Sequence, residues 1–174
     1  MDGGKGGDRV MSMNVHVWIK GESSGEIRGD STVSSMGREG SIEAFELEFG
    51  VRTSQDPFRG SAGERTYSPV TIKKRIDRAS PDLHKMLCNN EPIEVTFKFY
   101  RPNPVGDGTT EQFYTIELKQ ARISSIKTIS PNSIDDRTAS LPALEEVSFV
   151  FGEISWRYSS GDVNTEHQDQ WRVP

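Results

Sequence analysis

The sequence predicts a mainly β protein: an antiparallel β-barrel of two curved sheets with one flanking α-helix at about residues 80–89. Three observations predict it. Apolar residues recur at every second position in stretch after stretch, the period of strands with one buried face. The two longest such runs, residues 112–129 and 147–158, slip by one partway, as strands do when a β-bulge bends them from one sheet into another. A single segment repeats apolar residues at helical spacing between a start and a stop signal.

Residues 1–13 are Gly-rich and polar and are expected to lie outside the fold, as a native arm or a cloning remnant. The barrel domain is expected over residues 14–160. Its first strand, 14–20, sets Val15, Val17 and Ile19 against His16, Trp18 and Lys20, so His16 reads as a polar-face residue. Residues 21–40, rich in Gly and Ser, have no period and read as a long loop. Over 42–51 the alternation places Phe45, Leu47, Phe49 and Val51 on one face and Ala44, Glu46, Glu48 and Gly50 on the other. Residues 52–67 read as a second loop. Val70 and Ile72 then alternate with Thr71 and Lys73, and the cluster Lys73, Lys74, Arg75 and Arg78 reads as a solvated strand edge.

The helix is expected to open at Ser80, whose hydroxyl suits an N-cap, with Pro81 at the first helical position and Asp82 at the positive end of the dipole. Leu83, Met86 and Leu87 make one apolar stripe. Asn89 and Asn90 suit its end, and Pro92 bars its continuation. Cys88 lies beside the stripe and is expected to be a buried thiol. In the next strand Ile93, Val95, Phe97 and Phe99 alternate with Glu94, Thr96, Lys98 and Tyr100. Pro104, Gly106 and Gly108 then mark a hairpin loop. After it, Tyr114, Ile116 and Leu118 give way to Ala121 and Ile123, then to Ile126, which predicts two bulges. Val147, Phe149 and Phe151 give way to Ile154, Trp156 and Tyr158. The slip predicts a kink at Gly152 that turns Phe151 and Ile154 both inward. Trp156 is expected to be largely buried against Phe149 and the helical stripe. Residues 161–174 are expected to form a polar C-terminal tail.

At 174 residues the chain is long enough for one domain with a substantial core. A net charge of −5 argues against a general nucleic-acid binder, which needs a basic face. The single cysteine excludes an intrachain disulfide. No apolar run approaches the ~18 residues of a membrane span, so no membrane insertion is expected. The first residues lack the apolar core of a secretory signal.

Several motifs invite a chemical reading and fail it. Gly21-Glu22-Ser23-Ser24-Gly25 matches G-x-S-x-G, but a hydrolase elbow needs a helix after the turn and none is patterned there. Arg28-Gly29-Asp30 reads as a coincidental tripeptide. Three histidines and one cysteine are too scattered for a zinc site, and Asp135-Asp136 reads as a solvated turn rather than a calcium ligand pair. Gly3-Gly4-Lys5 lacks the spacing of a phosphate-binding loop. No catalytic, cofactor-binding or metal-binding residues are assigned, and the protein is not expected to be an enzyme.

Four pieces together resemble the haemolysin-coregulated protein (Hcp) family, the tube subunit of bacterial type VI secretion systems. They are the opening strand running into Ile19-Lys20-Gly21-Glu22-Ser23; the Pro69-Val70, Ile72, Lys74, Asp77, Ala79-Ser80-Pro81, Leu83 series; the hairpin with Phe99-Tyr100-Arg101; and the closing strand with Phe149, Ile154 and Trp156. The resemblance implies homo-hexameric rings that stack into an expelled tube. A contractile sheath would drive the tube, a spike protein would cap it, and effector proteins could ride in its lumen. It implies no cofactor. It also implies synthesis in the bacterial cytoplasm and release through the type VI apparatus without a signal peptide. Hcp-like proteins carry an extended loop after the first strand, between rings. Residues 22–40 match it in position, which makes Glu22, Glu26, Ile27, Arg28, Asp30, Val33, Met36, Arg38 and Glu39 the expected ring-stacking residues. Two other readings are a barrel that encloses a small ligand and an esterase built on Ser23.

Overall fold

The structure is a computed structural model and describes residues 13–53 and 65–171. The expectation for the N-terminal arm, Met13 apart, and the middle of the second expected loop lie outside the described residues. The strands are β1 (Val15–Gly21), β2 (Gly25–Ile27), β3 (Ile42–Glu48), β4 (Val51–Thr53), β5 (Arg65–Tyr67) and β6 (Val70–Arg75). After the helix α1 (Ser80–Cys88) come β7 (Ile93–Pro102), β8 (Thr110–Ile129), β9 (Leu144–Val150), β10 (Glu153–Ser160) and β11 (Val163–Gln170). Pairing runs β8–β7–β1–β3–β6–β9 and returns from β9 to β8, which closes a six-stranded barrel. All its pairings are antiparallel. The barrel axis is filled by Phe97 and Phe149, packed edge to face at 5.8 Å, with Ile19, Ile72, Leu118 and Ile154 around them.

Both expected bulges of the long strand are present. β8 spans 20 residues and serves two sheet regions. Its first half pairs with β7 and β10; its second half pairs with β9. The register slips opposite Ile93/Val95, where Gln120 adopts a left-handed φ of 51°, and again between Ile123 and Ser125. The expected kink at Gly152 divides the last run into β9 and β10, and Phe151 and Ile154 are both buried on either side of it. The Gly152 amide donates to the carbonyls of Lys119 and Gln120, so the two bends are pinned to each other.

Elsewhere the structure corrects the reading. A bulge between Ala44 and Glu46 in β3 reverses the alternation. Ala44 therefore faces the core and Phe45 faces out, while Leu47 and Phe49 pack inward beyond the bulge. β4 and β5 pair into a separate ribbon at the two ends of the expected second loop, and Val51 is exposed there. Within the expected polar C-terminal tail, residues Val163–Gln170 instead form a strand. β11 pairs with β10 over eight residue pairs, from Ser160↔Val163 to Glu153↔Gln170. Its far end is held by Trp171, which packs on Tyr67 and Phe151, and by Asp169, which accepts from Tyr67 and Arg65. Burial and the Asp169 bond push the Tyr67 phenol up to about 12.

The helix stands where expected, with Leu83 and Met86 buried and Asn90 left-handed after its end. Ala79 is the N-cap position, however, and Ser80 lies inside the helix. Cys88 is exposed, because it falls past the apolar stripe on the last turn. Trp156 is only half-buried. It stacks on His167 at 5.7 Å and leans on Phe49 at 6.1 Å, while Phe149 pairs with Phe97 on the axis.

Candidate assembly surface

The expected loop 22–40 is a built structure. Gly21 to Gly25 close a tight hairpin between β1 and β2. The side chain of Glu91 is folded into this hairpin: Oε1 accepts from the amides of Ser23 (2.8 Å) and Ser24 (2.7 Å), and Oε2 accepts from Ser24 Oγ (2.8 Å). Gly21 is needed for that approach, since a Cβ there would collide with Glu91 Oε1 and lie 2.7 Å from Met86 Cε. The Ser24 bonds, ahead of the Ser23 bond, hold the Glu91 carboxyl below the usual carboxylate range. The G-x-S-x-G pattern is therefore a capped hairpin turn, with strand on both sides instead of the strand–turn–helix of a hydrolase elbow.

Residues 28–41 fold back onto the barrel. The amides of Gly29 and Ser31 donate to the carbonyls of Gly40 and Ser41, and the Gly40 amide returns a bond to Ser31. Gly29, the centre of the Arg-Gly-Asp tripeptide, is fixed by packing: a Cβ there would sit 2.7 Å from Ile42 Cα. A 3-10 turn, Ser35–Gly37, forms the tip, with exposed Met36 in a left-handed conformation at φ 58°. Beneath the tip, Arg38 is buried at 4% exposure and lies 4.6 Å from the centre of the Tyr100 ring. Asp30 accepts from the Arg78 amide at 3.3 Å, which ties the segment to the lead-in of α1.

This segment explains a burial that alternation could not foresee. His16 and Tyr100 point out of the barrel, yet both are buried, at 2% and 4% exposure, because residues 28–41 cover them. The His16 Nδ1 lies 2.7 Å from Ser41 Oγ, and its ring meets Tyr100 edge to face at 5.3 Å. Burial lowers the His16 pKa from its ordinary 6.5; Glu43 acts against the shift and Arg38 adds to it. Of the expected stacking residues, Ile27 and Arg38 belong to the subunit's own core. Glu22, Glu26, Arg28, Asp30, Met36 and Glu39 are exposed, and Val33 is half-buried. Beside the segment lies a groove of about 450 Å³, walled by Phe45, Leu141 and Leu144 with Asp30 and Arg75 on its lining.

The basic cluster is also resolved otherwise than expected. β6 is an interior strand between β3 and β9, so it offers no solvated edge. Lys74 is completely buried. Its ammonium donates to Glu145 Oε2 (2.9 Å), the Arg75 carbonyl (2.8 Å) and Ser80 Oγ (3.1 Å), and forms an ion pair with Asp77 Oδ1 at 2.8 Å. Ser80 donates to Glu145 and accepts from the Asp77 amide, which is why it does not cap the helix. Among the described residues, no group of three or more His, Cys, Asp and Glu side chains is placed to hold a metal ion. No helix among the described residues is long and apolar enough to cross a membrane.

A family model described as "Type VI secretion system effector, Hcp" matches residues 16–158. That span takes in the whole barrel and the segment just described. The "Major exported protein" of Pseudomonas aeruginosa is 34% identical over 135 residues, 76% of this chain and 75% of that protein. Among solved structures, the Hcp1 protein of E. coli EAEC 042 superposes with a TM-score of 0.76 at 25% identity, covering 92% of this chain and 99% of that one. The secreted protein Hcp3 of Pseudomonas aeruginosa superposes with a TM-score of 0.72 at 24% identity, covering 94% and 100%.

Proposed function

The chain belongs to the Hcp family of type VI secretion proteins, and from that membership we propose that it is a structural subunit of the secretion tube. Six copies close a ring, rings stack head to tail, and effectors travel in the bore. The assembled tube leaves the cell through the apparatus, in contact with the spike and the sheath. The single observation that carries this reading is the family match over residues 16–158, which runs from β1 through the closed barrel and into β10. The barrel axis supports it against an enclosed-ligand reading, because Phe97 and Phe149 occupy the space a ligand would need.

The ring-stacking contact falls to the exposed part of residues 22–40, with Ile27 and Arg38 anchoring it from below. Head-to-tail contacts do not close, so they build a filament. Charges of both signs on Glu22, Glu26, Arg28, Asp30 and Glu39 suit a polar contact that can come apart. The ribbon β4–β5 is a second element for the same role: it is a sheet apart from the barrel, and only Tyr67 of its six residues is buried. Native mass spectrometry tests the ring, with a species of six times the 19.5 kDa monomer as the expected result. A protein that stays monomeric at all accessible concentrations would overturn it.

A further inference from the structure

We propose that His16 is a proton-operated latch on residues 28–41: the neutral imidazole holds this segment against the barrel, and protonation lets it lift away. The link from latch to ring stacking rests on the assembly reading above; the latch itself does not.

The geometry sets an imidazole and a guanidinium on one phenol ring. His16 meets Tyr100 edge to face at 5.3 Å, and Arg38 lies over the same ring at 4.6 Å. Arg38 belongs to the segment, and its carbonyl accepts from the amide of Ser41, the residue whose Oγ touches His16. Both ends of this small stack are therefore fastened to the piece of chain that covers it.

The groups facing His16 come from three sides. Glu43 is its partner across β1–β3, and Lys98 is its partner across β1–β7. Tyr100 on β7 and Arg38 and Ser41 from the segment complete the set. Glu43 is the one carboxylate among them, and its oxygens already accept from Asn14 Nδ2 (3.2 Å) and Ser31 Oγ (2.7 Å). Lys98 is turned toward the Trp18 ring at 4.6 Å.

A proton on His16 makes both ring nitrogens donors. It also places a second buried cation beside Arg38, which the Glu43 carboxylate balances only in part, since the net effect of the surroundings still disfavours the proton. Burying a charge that is only partly balanced is costly, and returning Arg38 to water together with the segment that carries it relieves that cost. Burial already lowers the imidazole's affinity for a proton; Glu43 opposes that shift without cancelling it, and Arg38 adds to it. By linkage, an open state with an ordinary imidazole gains as pH falls below 6.5.

Hydrogen exchange on the full chain tests the latch, at pH 7 and pH 5, after correction for the intrinsic pH dependence of exchange. The reporting amides are Gly29, Ser31, Gly40 and Ser41, each bonded within the segment. We expect their opening to rise by about tenfold for each unit by which the folded His16 titrates low. His16→Gln should remove the pH response. Should that variant fail to fold, Arg38→Gln keeps the imidazole, removes the cation and should shrink the response. Equal pH responses in wild type and His16→Gln would overturn the latch, as would an undiminished response in Arg38→Gln or no opening of the segment down to pH 5. Electron microscopy of tubes at the same two pH values separates the two readings. Opening that leaves tubes intact keeps the latch and removes residues 28–41 from the stacking contact.

Discussion

Lys74 on β6 and Glu145 on β9 form an ion pair at 2.9 Å with both side chains sealed from solvent. Two interior strands and the start of the helix meet there, since Ser80 and Asp77 share the same ammonium. Removing one member of such a pair leaves the other buried and uncompensated. We expect Lys74→Met to cost about 3–5 kcal/mol in urea denaturation. Replacing both, Lys74→Met with Glu145→Leu, should recover a large part of that loss, because well-packed apolar residues often substitute for a buried pair. A double variant no more stable than Lys74→Met would show that the polar network, and not charge balance, sets the cost.

The pinned bends at Gln120 and Gly152 make a second prediction. A Cβ at Gly152 would lie 2.6 Å from Gln120 Oε1 and 3.1 Å from Gln120 Cβ. Gly152→Val should therefore cost more than the ~1 kcal/mol of an ordinary substitution. Gln120 is itself left-handed, a conformation that glycine adopts without penalty. Gln120→Gly should thus be tolerated alone and should lessen the cost of Gly152→Val. Additive denaturation midpoints in the double-mutant cycle would count against the contact.

These two sites also mark what was legible in the sequence. The bulges of β8 and the kink at Gly152 could be read because each moves apolar residues by one step, and burial keeps the step visible. The bulge at Phe45 was hidden, since Phe45, Leu47 and Phe49 alternate in sequence whichever way the strand bends. The burial of Lys74 and His16 was hidden for a different reason. Alternation tells which residues share a face but is silent on whether something covers that face. The cover on His16 is the segment 28–41, and the partner of Lys74 is Glu145, 71 residues away. β11 was missed because both its faces are polar; its signals were Trp171 and a register set by the β10 turn.

Glu91 predicts an acid sensitivity. Its pKa is lowered in the folded state by the bonds from Ser24 and Ser23, so the carboxylate contributes stability at pH values above its ordinary 4.5. That contribution declines as pH falls below 4.5 and is gone once pH has passed the lower folded value. Glu91→Gln should be less stable than wild type at pH 7, and the gap should narrow on acidification through this window. A constant gap from pH 7 to pH 3 would show that the charge on Glu91 is not what holds the hairpin.

The stacking surface calls for a test that spares the fold. Excising residues 24–38 would strip Ile27, Ser31 and Arg38 from the subunit core, so loss of tubes in such a variant would say little about contact between rings. The exposed set is separable from that core. Met36 is held at the tip of the 3-10 turn in a left-handed conformation that costs an ordinary residue of order 1 kcal/mol or more, and it points an apolar side chain at solvent. Strain of that kind persists where the surrounding structure fixes it, here by Arg38, whose backbone amide and Nε both donate to the Ser35 carbonyl across the turn. Met36→Asp should relieve apolar exposure and leave the denaturation midpoint within ~0.5 kcal/mol, as for a surface change. Combined with Arg28→Glu, it should leave rings intact in native mass spectra while tube length in electron micrographs falls sharply. If tubes of normal length still form from these rings, residues 22–40 are a cover for the barrel alone, and the β4–β5 ribbon becomes the stacking element to alter next.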